Sequence, residues 1–319
     1  MLAFYILIFI ACFGLLYWIS TWLIDALIRI ARYLDWREFT VAFLVMAIVG
    51  AIPNFFIGIS SALHKIPQLS FGEIVGGNVI DLTLAVAIAT LLIRGGIPAK
   101  SRVVQVSSKF TILIAILPLL LIFDGTLSRG DGIILISAFL FYIFWLFSKK
   151  ERFKITYEDK KEGIVKEFKT FLKDIGRILI GIILLLLAAE GIVNSASFFA
   201  ESLNFSIVLI GILIVGFGNA LPEMYFAIIS AKRGQTWMIL GNLMGSVIIP
   251  STLVLGTVAL ICPIEIIDFS PFAIGRFFLI ISVIFFLVFV RTDKKITKKE
   301  AIILLAIYLV FILVEILVK

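Results

Sequence analysis

Ten apolar stretches, each about long enough to cross a bilayer and nearly free of charge, restrict this chain to one kind of environment. They run over about 2–28, 39–63, 71–93, 104–123, 131–148, 175–199, 206–231, 236–262, 270–290 and 300–318. The hydrocarbon core takes roughly 20 apolar residues per helix, so the 319 residues are used up by ten spans and short connections. The chain is 62% hydrophobic and 15% charged, against about 45–50% and 25% in soluble domains. A water-soluble fold is excluded, and an all-α transmembrane protein is expected. Met1 to Trp22 is too long for a signal-peptide core and lacks a basic start, so it counts as the first span. Cys12 and Cys262 both sit in apolar stretches and are expected to be packing residues.

Basic residues fix the orientation. With ten spans, all but Lys65, Arg129, Arg276 and Lys319 of the 28 basic residues fall on one side. The positive-inside rule makes that side cytoplasmic and puts both termini outside. A prokaryotic cell membrane is the expected location. The one long polar connection, 149–173, is mixed in sign and reads as a solvated cytoplasmic linker that needs no ligand, with contact to anionic lipid as the lesser alternative. Nucleic acid is not an expected partner, and no obligatory protein partner is evident.

Shifting the sequence on itself by 169 positions aligns Pro53 with Pro222, Gly72 with Gly241 and Gly76 with Gly245. Counterparts are five spans apart, and an odd number reverses the direction of crossing. The chain therefore divides into a first five-helix repeat at 1–148, the linker at 149–173 and a second, inverted repeat at 174–319, an arrangement common in secondary transporters. Each repeat places a proline inside a span, within Gly50-Ala51-Ile52-Pro53-Asn54 and Asn219-Ala220-Leu221-Pro222-Glu223. Proline removes a backbone donor, so spans 2 and 7 are expected to break at mid-membrane, where freed carbonyls, as at Gly50, can face a cation. Glycines at helix-turn spacing are expected to press spans 3 and 8 against the broken pair.

Ionisable groups in mid-span are costly and point to function. Asp25, Asp81, Glu190 and Glu223 qualify. Asn54 and Asp81 lie 27 positions apart, as do their counterparts Glu223 and Pro250, so one site is expected to hold an acid from each half. Asn78, Thr83, Asn219, Asn242, Ser246, Ser251 and Thr252 supply oxygen donors suited to hard cations such as Na⁺ or Ca²⁺. Asp25 precedes Arg29 by four residues and can pair with it; Glu190 caps a kink or lines an access path. The single histidine, His64, reads as a surface residue beside Lys65, and with no Ser/His pair or H-E-x-x-H pattern the chain is not expected to be an enzyme.

Gly218-Asn219-Ala220-Leu221-Pro222-Glu223 followed by Gly241-Asn242-Leu243-Met244-Gly245-Ser246 resembles the second signature repeat of the calcium/cation antiporter superfamily, which includes the sodium/calcium exchangers. That signature reads G-T-S-L-P-E, then G-N-x-x-G-S. Asp124-Gly125, Asp131-Gly132 and Ala189-Glu190-Gly191 add further matches. The resemblance implies ten spans in two inverted repeats and an exchanger whose second, third, seventh and eighth spans enclose the ions. It implies transported Ca²⁺, Na⁺ or H⁺ as the only cofactors, with Glu223, Asp81, Asn54, Asn219, Asn78, Asn242, Ser246 and Gly50 as the binding set. The sequence departs from the pattern where Asn54 replaces a glutamate, Gly50-Ala51 and Asn219-Ala220 replace Thr-Ser pairs, Gly77 replaces a serine and Pro250 takes the last ligand position. Asp81 stands where many exchangers carry asparagine. The expectation is an antiporter with altered ion choice or coupling; the alternatives are exchange of another mono- or divalent cation, or a transport-inactive structural or regulatory paralogue.

Overall fold

A computed structural model describes residues 1–33, 51–100, 102–148, 164–232, 234, 236–266 and 269–317. Backbone groups in hydrocarbon must bond within their own segment, and the described residues are correspondingly almost all helical. In chain order the helices are α1 (Leu2–Tyr33), α2 (Ile52–Leu63), α3 (Gln68–Ile80, Asp81–Ala85 and Val86–Leu92), α4 (Arg102–Leu121), α5 (Arg129–Ser148) and α6 (Ile164–Leu203). They continue as α7 (Ile207–Ile210, Gly211–Val215 and Gly216–Lys232), α8 (Thr236–Ile249, Pro250–Val254 and Leu255–Ile261), α9 (Phe269–Arg291) and α10 (Lys298–Leu317). The middle segments of α3, α7 and α8 are π-helical. Among the described residues nine helices are long and apolar enough to cross a membrane. The shorter α2 is the second half of the expected span 39–63, whose first half, with Gly50, lies outside the described residues. Residues 149–163 of the expected linker also lie outside them, and α6 begins at Ile164, inside the stretch expected to be linker.

The 169-residue offset recurs in the elements. Asp81–Ala85 and Pro250–Val254 are both π turns, and α5 and α10 start 169 positions apart. Ser128 with Asp131, and Thr297 with Glu300, form matching N-terminal capping pairs at those starts. Four two-residue strands expose the inversion: β1 (Ile97–Pro98), β2 (Thr126–Leu127), β3 (Ile264–Glu265) and β4 (Lys295–Ile296). In the repeat β4 is the exact counterpart of β2 and β3 lies within two residues of the counterpart of β1, yet β1 pairs with β4 and β2 with β3, both antiparallel. Each sheet thus joins the connections at one end of the bundle, and each repeat contributes its own copy to opposite ends.

Pro222 does not open the seventh span as expected. It sits inside the last α-helical segment of α7, and the irregularity takes the form of the π turn Gly211–Val215, upstream of it. Proline removes only one bond, that from its own nitrogen to the carbonyl of Gly218, and neighbouring helices let a membrane helix continue past such a defect. Pro53 lies in the first turn of α2, where its missing N–H is harmless.

Glycines decide how closely the central helices approach. A β-carbon at Gly72 or Gly76 would collide with the carbonyl oxygens of Val208 and Ile212, and one at Gly211 or Gly216 would lie 2.6 Å from the Leu69 carbonyl or 2.8 Å from that of Glu73. The backbones of α3 and α7 therefore meet directly along the π turn. Gly241 and Gly245, expected to do the same for α8, have nothing within 4 Å of the added carbon among the described residues; the segment related by the repeat to Val208–Ile212 lies in 34–50. The main hydrophobic core runs through α3, α4, α7, α8, α9 and α10. A second cluster packs α1 along α6 and against α2, with Tyr5 stacked on Phe198.

This packing predicts that Gly76→Ala destabilises the protein by about 1–3 kcal/mol through overpacking. Gly176→Ala, where nothing lies within 4 Å, is expected to be neutral or stabilising by up to about 1 kcal/mol. Melting temperatures in detergent measure both, and equal melting for the two variants would contradict the direct backbone contact.

Candidate cation site

The paired backbones of α3 and α7 place two carboxylates, three amides and a hydroxyl around one point. A cavity of about 10 Å³, the scale of a single water or ion, is lined by Asn54 of α2, Ile74, Gly77, Asn78 and Asp81 of α3, Asn219, Ala220 and Glu223 of α7, and Ser246 of α8. All four helices expected to enclose the ions contribute. No lysine, arginine or histidine is among the described residues lining it.

Hydrogen bonds leave oxygen atoms available. Ser246 Oγ donates to Asp81 Oδ2 at 2.5 Å, while Asp81 Oδ1 and Glu223 Oε2 are buried with no hydrogen-bond partner. Asn78 donates through Nδ2 to Ser251 Oγ at 2.7 Å, and Asn219 donates through Nδ2 to Glu73 Oε1 at 2.6 Å. With the donor end of each amide engaged, its carbonyl oxygen is the end left over. Asp81 is 4% exposed and Glu223 9%, so ionised carboxylates here are shielded from solvent and meet no basic side chain among the described residues lining the cavity. Burying charge in that way is costly unless a cation or proton compensates it.

Six of the eight residues expected in the binding set line this cavity: Asn54, Asn78, Asp81, Asn219, Glu223 and Ser246. Asn242 does not; it lies four residues before Ser246, half-buried, and is absent from the lining. Gly50 lies outside the described residues. Thr83 and Thr252, related by the repeat, are buried and turn their hydroxyls to the carbonyls of Val79 and Ile248 one helical turn back. Pro250 opens the π turn of α8 and is buried away from the cavity.

Elsewhere the polar groups organise differently. Glu190 of α6 accepts from Ser60 and Asn194 at 3.0 Å each and pairs with His64 Nε2 at 2.8 Å, tying the end of α2 to α6. His64 is exposed, as expected of a surface residue, and also tethers α2 to α6 through Glu190, whose described partners are Ser60, His64 and Asn194. The side chain of Asp25 is not among those described. Glu73 was not among the expected mid-span acids, although it is wholly buried and touches a cavity residue. An acid framed by Gly72 and apolar Ile74 and Val75, one turn inside a span, was the signal that could have found it.

A family model described as sodium/calcium exchanger protein matches residues 4–148 and 173–317. The chain belongs to the sodium/calcium exchanger family. It is an integral membrane protein and a cation antiporter. Similar proteins in this exchanger family include the sodium/calcium exchanger MaX1 of Methanosarcina acetivorans, 25% identical over 92% of this chain and 93% of MaX1. An uncharacterized membrane protein of Methanocaldococcus jannaschii is 28% identical over 93% of each chain. A solved structure of the sodium-calcium exchanger NCX_Mj, soaked with Na⁺ and Sr²⁺, superposes with a TM-score of 0.64 at 25% identity, covering 98% of this chain and 99% of that one. The fold is accordingly the exchanger fold of two inverted repeats.

A ligand that binds the folded state alone stabilises it by mass action, by about 2.7 kcal/mol at 100 times Kd. Glu223→Gln and Asp81→Asn should each keep or raise ion-free melting, because an uncompensated buried carboxylate is removed, and should abolish stabilisation by added Ca²⁺ or Na⁺. Thermal melts with and without ion check this. Persistence of the full shift in both variants would remove these acids from the site.

Proposed function

We propose that Asp81 and Glu223, supported by the oxygens of Asn54, Asn78, Asn219 and Ser246, bind one divalent cation of the Ca²⁺ class at mid-membrane. The protein then exchanges it, by alternating access, for Na⁺ or protons. The observation that carries this reading is the meeting of one acid from each repeat in a single ion-sized cavity, each with an unpartnered buried oxygen. Two carboxylates give a formal charge of −2 when ionised, which one divalent cation neutralises. Carboxylate, amide and hydroxyl oxygens are the donors hard cations select. MaX1 and NCX_Mj carry sodium/calcium exchange in their names, which supports calcium as the first ion to test. Fewer carboxylates and hydroxyls than the family signature provides favour weaker Ca²⁺ binding and fewer coupled sodium ions.

In this reading residues 1–148 and 174–319 act as the two inverted halves around the site. The termini face outward and the polar connection 149–173 faces the cytoplasm, as the basic-residue distribution requires. Transported cations serve as substrates, lipids as surroundings, and neither a covalent cofactor nor enzymatic chemistry is involved.

Uptake of labelled Ca²⁺ into proteoliposomes tests the proposal. Influx should follow an imposed Na⁺ or H⁺ gradient of the correct direction and fall to the protein-free level in Glu223→Gln. Absence of gradient-driven flux under both conditions would remove calcium exchange from the account.

A further inference from the structure

The structure assigns a role to a residue outside the cavity wall: we propose that Glu73 is a positioning residue that holds the Asn219 amide with its carbonyl oxygen toward the transported cation. The proposal rests on the reading of the cavity as the cation site.

Glu73 is wholly buried where α3 lies directly on the π turn of α7, its backbone wedged against Gly211 and Gly216. Its Oε1 accepts the Asn219 Nδ2 hydrogen bond at 2.6 Å, and its Oε2 has no partner. An asparagine side chain can present either a donor or an acceptor, and nothing in its shape prefers one. A donor turned into a cation cavity would be repelled. In this pair Glu73 Oε1 is the acceptor and Asn219 gives it the NH2 group, so Oδ1 is the end left for the cavity that Asn219 lines.

The repeat shows that the fold itself does not require this pair. At the 169-residue offset, Asn219 corresponds to Gly50 and Glu73 to Asn242. The mirror-related pair has no side chain on one member and no carboxylate on the other. The family signature, G-T-S-L-P-E, places a threonine where Asn219 stands, and a hydroxyl oxygen can rotate its one hydrogen away from a cation without an orienting partner. An amide at 219 needs an orienting partner, and Glu73 supplies it from the facing helix.

The test uses the full-length chain purified in detergent, with Ca²⁺ as probe and two readouts, apparent affinity from the Ca²⁺-dependent melting shift and the melting temperature without ion. Glu73→Met should weaken Ca²⁺ affinity by about tenfold or more, while Glu73→Gln, which retains an acceptor oxygen at the same reach, should stay within about threefold of the unaltered protein. Ion-free melting of both should be unchanged or higher, since a buried half-satisfied carboxylate is lost. In an Asn219→Ala background Glu73→Met should produce no further loss. Should Glu73→Met fail to fold, Glu73→Asn, which borrows the residue of the mirror position and is too short to reach Asn219, is expected to show the same weakening. Unaltered affinity in the variant that folds overturns the proposal. So does a loss in Glu73→Gln as large as in Glu73→Met, which would make charge and not amide orientation the cause. So does an undiminished Glu73→Met effect without the Asn219 amide. If the unaltered protein itself shows no Ca²⁺-dependent shift, the cation-site reading fails first and this role falls with it.

Discussion

Asp81 and Glu223 are buried together in the middle of a helix bundle with no basic side chain among the described residues of the cavity to neutralise them. Most of the surrounding architecture can be understood as what makes that arrangement tolerable. Charge in low dielectric demands a compensating partner, and here the protein provides room for one ion rather than a lysine or arginine. The surrounding amides and the Ser246 hydroxyl supply the remaining oxygens. A cation that comes and goes is then part of the site's energetics, which is the physical basis of exchange.

The close contact of α3 with α7 brings the two acids together. Gly72 and Gly76 on one helix, Gly211 and Gly216 on the other, let the backbones touch, and the π turn of α7 lies in the contact. Any side chain there would separate the helices and with them Asp81 from Glu223. π turns recur at Asp81–Ala85 and Pro250–Val254 although only the second carries a proline. The shape therefore belongs to the repeat and not to one residue, in keeping with the association of such turns with functional sites.

Much of this was legible in the sequence because hydrocarbon imposes few choices. Span-length apolar runs set the helices, and the recurrence of Pro53 and Pro222 with their glycines set the inverted repeat. The polar residues of spans 2, 3, 7 and 8 converge because such groups cannot face lipid. What sequence reasoning missed is equally physical. A proline deletes one hydrogen bond, and at Pro222 the packed bundle absorbs that loss without unwinding. Hydroxyls on Thr83 and Thr252 look like ligands in one dimension but satisfy themselves on their own helices. Glu73 escaped notice because its partner, Asn219, is 146 residues away, and only the α3–α7 contact brings the two together.

Anomalous scattering from a crystal of this protein soaked in Sr²⁺, a heavier surrogate for Ca²⁺, addresses the centre of the account directly. The account predicts one strong peak within coordination distance of both Asp81 and Glu223, with the Asn219 carbonyl oxygen turned toward it. A peak bound elsewhere in the membrane region, or two acids facing apart with no density between them, would contradict it.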